Sequence, residues 1–275
     1  VYPKAEKSGD QPMKIFDSHC HLDDRAYDKD RRAVLERAHD AGIVAIMTVG
    51  TDRNSSRQAV RLAEEFPGCH ASVGIHPHDA KDCNDAVLEE LRQLARHSKV
   101  RAWGEIGLDF NRMYSPRAIQ EKWFIRQLEL AQDMSLPLIF HERDSGGRFY
   151  DLLRRHAQPG IKGVIHCFSG NPDELARYLN FGLYVGITGI LTLKERGAAL
   201  REMMPTVPTE RLLVETDAPY LTPAPEKNHT RRNEPAFVRA VLLKLADVIG
   251  EVPERLAATI WSNTCRLYDI PDDSP

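Results

Sequence analysis

Between Lys14 and about Val248 the chain alternates two apolar patterns. Short runs rich in Val, Ile and Phe occupy 14–18, 44–50, 69–75, 100–106, 138–141, 163–167, 183–187 and 212–215. Runs this brief and apolar suit strands buried on both faces of a parallel sheet. Between them lie amphipathic stretches at 28–41, 54–66, 85–97, 118–134, 147–156, 172–180, 194–203 and 234–249, each predicting a helix with one buried stripe. A further helix starting near 254 and running to about 261 closes the chain. Asn171-Pro172 and Asn233-Glu234-Pro235 read as helix starts, and Gly42 stands where a helix C-terminus favours glycine.

Eight strands alternating with eight helices in about 250 residues predict a single-domain (β/α)8 TIM barrel over 13–271, behind a polar extension at 1–12 that is expected to be flexible. The alternative is an open doubly wound sheet, which usually brings a glycine-rich phosphate loop after its first strand. Here the first strand runs into Ser18-His19-Cys20-His21 with no glycine.

Composition narrows the setting. Lys and Arg number 37 against 40 Asp and Glu, a formal charge of −3, so nucleic-acid binding would have to rest on a local site. The longest uncharged run, 178–193, contains Asn180, Gly182, Gly186 and Gly189 and falls short of the ~18–20 apolar residues of a membrane span. The first residues carry no apolar signal core. Five cysteines without a CxxC spacing point to a reducing, cytoplasmic setting with the thiols as core residues and no membrane association.

The 11 histidines sort by position. His39, His97 and His156 fall late in helices and His70 begins a strand, places where a surface or capping role suffices; His229 lies in a polar loop. The other six, His19, His21, His76, His78, His141 and His166, lie at or just past the C-terminal ends of strands, as do Glu105 and Asp217. In a barrel that rim is where active sites are built. Residues two apart on a strand face the same way, so His19 and His21 can both turn into the mouth toward one metal while Cys20 faces outward. Any one of these side chains could instead satisfy a backbone group, form an ion pair or cap a helix. Their shared placement on separate strands favours a metal site.

Several stretches resemble the TatD family of metal-dependent deoxyribonucleases: Phe16-Asp17-Ser18-His19-Cys20-His21-Leu22-Asp23, Val73-Gly74-Ile75-His76-Pro77-His78, Gly104-Glu105-Ile106-Gly107-Leu108-Asp109, Ile165-His166-Cys167-Phe168-Ser169-Gly170 and Glu215-Thr216-Asp217-Ala218-Pro219-Tyr220. Arg231-Arg232-Asn233-Glu234-Pro235 fits as well, and the likeness runs from about Lys14 to the C-terminus. The resemblance implies an amidohydrolase-like TIM barrel with two divalent ions (Mg, Mn or Zn): His19, His21 and Asp217 on one, His141 and His166 on the other, and Glu105 bridging. It implies a 3′–5′ exodeoxyribonuclease preferring single-stranded DNA ends and working through a water activated by the metal pair. Glu142 stands where many relatives have another residue. A D-aminoacyl-tRNA deacylase or another ester or amide hydrolase could use the same cage, and a non-enzymatic scaffold is the reading that the complete ligand set opposes.

Two divalent ions carry +4 and two carboxylates −2, so the cage keeps +2 for an anionic phosphodiester and its attacking group. Asp217 is the candidate for orienting or deprotonating the water, with Glu105 as the second catalytic carboxylate. Glu215 and Asp17 share the parity of the ligands beside them; each either supports a ligand from behind or is a buried acid paired elsewhere. Asp109 reads first as a loop or helix cap. His76, Arg143 and Arg231 are candidate phosphate contacts, with Arg232 pointing elsewhere, and a surface role serves either of these last two arginines equally well. Phe110, Tyr114 and Tyr220 could stack a base, although core packing suits Tyr220 better.

Overall fold

The computed structural model describes residues 13–272, so the expected extension at 1–12 lies outside the described residues. Eight parallel strands pair in chain order: β1 (Ile15–Cys20), β2 (Ile43–Val49), β3 (Cys69–Val73), β4 (Val100–Asp109), β5 (Leu138–Arg143), β6 (Gly163–Ile165), β7 (Tyr184–Ile187) and β8 (Leu212–Val214). Just beyond the end of β8 the ring closes onto β1. Cys20 bridges Ala218, the His21 N–H donates to the Ala218 carbonyl (2.8 Å) and the Asp217 N–H donates to the His19 carbonyl (2.9 Å). This is the predicted (β/α)8 barrel.

Around it run α1 (Arg31–Asp40), α2 (Arg53–Glu65), α3 (Asp85–Leu94), α4 (Arg117–Asp133), α5 (Arg148–His156), α6 (Pro172–Phe181), α7 (Ala198–Met203), α8 (Val238–Ile249) and α9 (Pro253–Tyr268). Asn171 caps α6 in a reciprocal box with Glu174, and Gly42 follows α1 with φ of +88°, as those residue types predict. The helix expected from 234 begins only at Val238, after a short 3-10 turn at Pro235–Phe237. Asn233 is drawn away from a capping role because its side-chain amide donates to the carbonyls of Thr216 and Tyr220, tying this loop to the end of β8.

Two apolar layers hold the barrel. The larger lies between strands and helices and includes Cys20, Leu22 and Tyr27, so Cys20 faces outward as its parity predicts. The smaller joins Phe16, Met47, Ala102, Ile139, Val164 and Leu213 from the strands with Trp261, Cys265 and Tyr268 from α9. The last helix, longer than the sequence pattern suggests, therefore seals the N-terminal end of the barrel. Phe16 lies 6.1 Å from Trp261 and 6.0 Å from Tyr268, ring centre to ring centre. His70 stacks on Phe16 at 5.8 Å, which corrects its expected surface or capping role. The C-terminal ends of the strands are left for polar groups.

Candidate metal centre at the barrel mouth

The β1–β8 seam brings together groups that are almost 200 residues apart in the chain. A register shift separates Asp17 from Cys20 in the β1–β2 pairing, and His19 and His21 turn inward on either side of the strand's end with their Nε2 atoms 3.3 Å apart. Asp217 takes a left-handed φ of +55°, which aspartate tolerates better than most residues. Its Oδ1 lies 3.3 Å from His21 Nε2 and 3.8 Å from His19 Nε2. Opposite, Glu105 of β4 is buried with its two oxygens facing different partners. Oε2 lies 3.4 Å from His19 Nε2 and 4.0 Å from His21 Nε2; Oε1 lies 2.7 Å from His141 Nδ1 and 3.8 Å from His166 Nε2. The donor atoms of His19, His21 and Asp217 lie within 4.8 Å of one another, as do those of Glu105, His141 and His166.

The outer nitrogens of three of the four imidazoles fit metal ligation, while His19 Nδ1 is buried without a hydrogen-bond partner among the described residues. His21 Nδ1 donates to the Val49 carbonyl (3.2 Å), His141 Nε2 faces Asp109 Oδ2 (3.3 Å) and His166 Nδ1 faces Glu215 Oε1 (2.8 Å). In the neutral rings those protons point outward and each inner nitrogen can present its lone pair to the cage, as in metal-binding histidines. Bonds of about 2.0–2.1 Å to one ion leave neighbouring nitrogens somewhat over 3 Å apart, which matches His19 and His21. The donor set therefore fits a divalent metal ion.

The charges agree. Burial would raise the Glu105 carboxyl, but His76, His166, His141 and His19 around it hold it well below the usual carboxylate range. Asp217 is likewise lowered against its burial by His21 and His166. Burial lowers His19, and the neighbouring His166 adds to that. His21 overcomes its burial through Asp217 and stands at about 10, and His141 overcomes it through Asp109 and Glu105 and stands at about 9.

Glu215 holds the His166 side of the cage and also accepts the Cys167 N–H (2.6 Å). Gly186 makes room for it, since a Cβ there would meet the Glu215 carboxylate at 2.6–2.8 Å. Asp17 touches no ligand imidazole. Its oxygens take the Thr216 N–H (2.8 Å) and hydroxyl and, weakly, the His19 N–H (3.4 Å), clamping the backbone that carries His19 to the backbone that carries Asp217. Burial pushes its carboxyl up to about 8 despite the hydrogen bonds from Thr216. Asp109 does more than cap a loop: Oδ1 takes the N–H groups of Asn111 and Arg112, while Oδ2 lies 2.7 Å from His78 Nε2.

His76, His78 and His141 form another close group, but His76 is poorly placed to ligate. Its Nδ1 accepts the His78 N–H (3.0 Å), so in the neutral ring the proton sits on Nε2, which lies 3.2 Å from His141 Nδ1 and 3.5 Å from Glu105 Oε1. Burial lowers its pKa to about 4, which keeps the ring neutral and makes it a donor into the cavity.

The cavity over the cage measures about 720 Å³, and His76, Arg143, Arg112, Arg196 and Tyr220 line it. Arg231 does not. It is exposed and outside the lining, and its carbonyl accepts the Thr222 hydroxyl. Arg232 pairs with Asp30 at 2.7 Å. Tyr220 is 53% exposed at the mouth rather than packed in the core, whereas Phe110 lies under the Arg117 guanidinium at 4.6 Å. Tyr114 is exposed with its ring edge on His78. Arg112 and Arg196 were missed because a loop arginine carries no periodic signal.

These features define a class: a (β/α)8 barrel whose C-terminal mouth carries histidine–carboxylate groups able to hold metal. The chain belongs to the TatD-related DNase family, whose family model, described as "TatD related DNase", matches residues 16–269. A Rahnella sp. (strain Y9602) protein named 3′-5′ ssDNA/RNA exonuclease TatD is 42% identical over 259 residues, covering 93% of this chain and 98% of that protein. The Escherichia coli (strain K12) protein of the same name is 40% identical over 258 residues, covering 93% and 99%. Among solved structures, YJJV, a TatD homolog from Escherichia coli k12, superimposes with a TM-score of 0.86 at 30% identity over 95% of this chain and 100% of that one. A TatD family hydrolase from Entamoeba histolytica gives 0.84 at 25% identity, again over 95% and 100%.

Proposed function

We propose that this protein is a metal-dependent 3′–5′ exonuclease that hydrolyses phosphodiester bonds at single-stranded DNA ends. The observation that carries the reading is Glu105, which turns one carboxylate oxygen to His19 and His21 and the other to His141 and His166. His19, His21 and Asp217 would hold one ion, His141 and His166 the other, and Glu105 both. Divalent ions in such a pair supply Lewis-acid stabilisation to the charge that develops on phosphodiester oxygens.

The protein's own groups do the rest. Asp217, at the open side of the cage, orients the attacking water and takes its proton. Neutral His76 donates its Nε2–H to a non-bridging phosphate oxygen. The Arg143 guanidinium, which makes no ion pair among the described residues, anchors a strand phosphate. Glu215 fixes the ring of His166, and Asp17 locks His19 against the Asp217 segment. Imidazole-rich donors suit zinc or manganese, and carboxylates extend the range to magnesium. The relatives' names add RNA to single-stranded DNA, so RNA ends are a second substrate to assay. Those names support the exonuclease reading, not a deacylase, an amidase or a scaffold. Among the described residues no helix is long and apolar enough to cross a membrane.

The test strips the protein with chelator, restores magnesium, manganese or zinc, and follows single-stranded DNA, duplex DNA, RNA and a D-aminoacyl ester side by side. Shortening of single strands from the 3′ end, only with metal restored, is expected. No hydrolysis of any strand with any of the three ions removes the proposal.

A further inference from the structure

The mouth is divided by charge. Across an eight-strand ring β1 lies opposite β5 and β3 opposite β7. The loop after β1 brings Asp23 and Asp24 to the cavity and the loop after β3 brings Asp79. The end of β5 brings Arg143 and the loop after β7 Arg196, with Arg112 beside them from the loop after β4. No ion pair among the described residues involves any of these six side chains, whereas arginines on the outer surface such as Arg57, Arg148 and Arg255 are bound to glutamates.

The acidic half also carries features of a nucleoside site. Tyr220, with half its surface exposed, donates its hydroxyl to Asp24 Oδ2 (3.0 Å) and offers a ring face beside His21. Asp23 Oδ2 accepts the Ser55 hydroxyl (2.6 Å), while its Oδ1 is buried without a hydrogen-bond partner. The Asp24 carboxylate, which lines the cavity, can accept a sugar hydroxyl, and an aromatic face stacks any base.

We infer that the mouth reads strand polarity: the arginine half takes the phosphates leading to the scissile bond, and the Asp23–Asp24–Tyr220 half takes the terminal nucleoside and requires its 3′ oxygen to be a free hydroxyl. The inference rests on the exonuclease reading and deepens it. Every further nucleotide brings a negative charge, so a strand that continued past the scissile bond, or one ending in a 3′-phosphate, would set that charge against unpaired carboxylates. A 3′-hydroxyl end instead brings a donor. The acids thereby favour ends over interiors.

The test compares kcat/KM for metal-loaded protein on one oligonucleotide ending in a 3′-hydroxyl or a 3′-phosphate. At low salt the hydroxyl end is expected to react at least about tenfold faster, with the ratio falling as salt screens the carboxylates. The double variant Asp23→Asn/Asp24→Asn is expected to bring the ratio to within about threefold by raising the rate on the 3′-phosphate end. Equal rates on the two ends in the unaltered protein overturn the inference. So does a ratio insensitive to salt, or a double variant that slows both ends alike. The salt series needs no variant and holds even if the substitutions disturb the loop. Silence on both ends with metal restored removes the exonuclease reading and this inference with it.

Discussion

At the N-terminal end of the barrel Phe16 packs between Trp261 and Tyr268; three residues further along the same strand, His19 faces Glu105 and Asp217. One strand thus serves two opposite requirements. The lower end is apolar and closed by a helix, so the removal of aromatic surface from water stabilises it. The upper end gathers four imidazoles and two carboxylates under partial burial, an arrangement that without cations is held together by shared protons. The first end supplies stability and the second is organised for a ligand, and the parallel barrel keeps the two apart because all strands point the same way.

The largest expected effect tests that separation directly. Asp217→Asn should lower turnover on single-stranded DNA by about 10²–10⁴-fold, the range of a lost general base, while thermal melting barely moves. A variant with near-normal activity, or one that unfolds, would break the division. At the other end, Phe16→Ala should lower unfolding free energy by about 3–5 kcal/mol in denaturant titration, with the remaining folded fraction still metal-dependent.

Metal removal should destabilise the upper end by about 2.7 kcal/mol relative to protein held at a hundredfold excess of ion over its dissociation constant. The size should depend on pH. Without metal, burial lowers His21, His141 and His166, but Asp217 for the first, Asp109 and Glu105 for the second and Glu215 with Glu105 for the third outweigh it, giving about 10, 9 and 9 against an ordinary 6.5. A raised histidine pKa stabilises fully below 6.5, and that contribution is lost as pH climbs through the folded value. Metal competes for the same positions, so its binding strengthens over the same interval. The Tm gap between metal-loaded and chelator-treated protein should widen from pH 6.5 to about 9; a gap that narrows contradicts the shared-proton picture.

Glu215→Gln should weaken metal affinity or activity by about 10–100-fold, since it removes the carboxylate behind His166 without removing a ligand. The smallest effect concerns the mouth's outer edge. Arg231→Ala should change KM less than about twofold at low salt because the side chain lies outside the cavity, whereas Arg143→Ala should raise KM several-fold.

Much of this was legible before the fold was known. The alternation of patterns predicted eight strands and their helices, since each pattern comes from neighbours in the chain. Parity placed His19 and His21 on one side and Cys20 on the other. The placement of His166 and Asp217 just past strand ends followed from counting along each strand, whereas Glu105 and His141 lie inside strands that run on to Asp109 and Arg143. The roles of Asp17, Glu215 and Asp109 stayed open, because a buried carboxylate looks the same in sequence whether it holds an imidazole, a backbone N–H or both.

Only the tertiary structure decided the rest. That the two oxygens of Glu105 part between two sets of histidines depends on how far β4 stands from β1, β5 and β6 across the ring. That Tyr220 lines the mouth and Arg231 lies outside that lining depends on how the loop after β8 folds, where Asn233 holds the Tyr220 carbonyl. That α9 runs on to Tyr268 and seals the barrel depends on the apolar floor it finds there. Local periodicity records what each segment needs to bury; it does not record which distant segment will meet it, because that choice is made by closure of the whole ring.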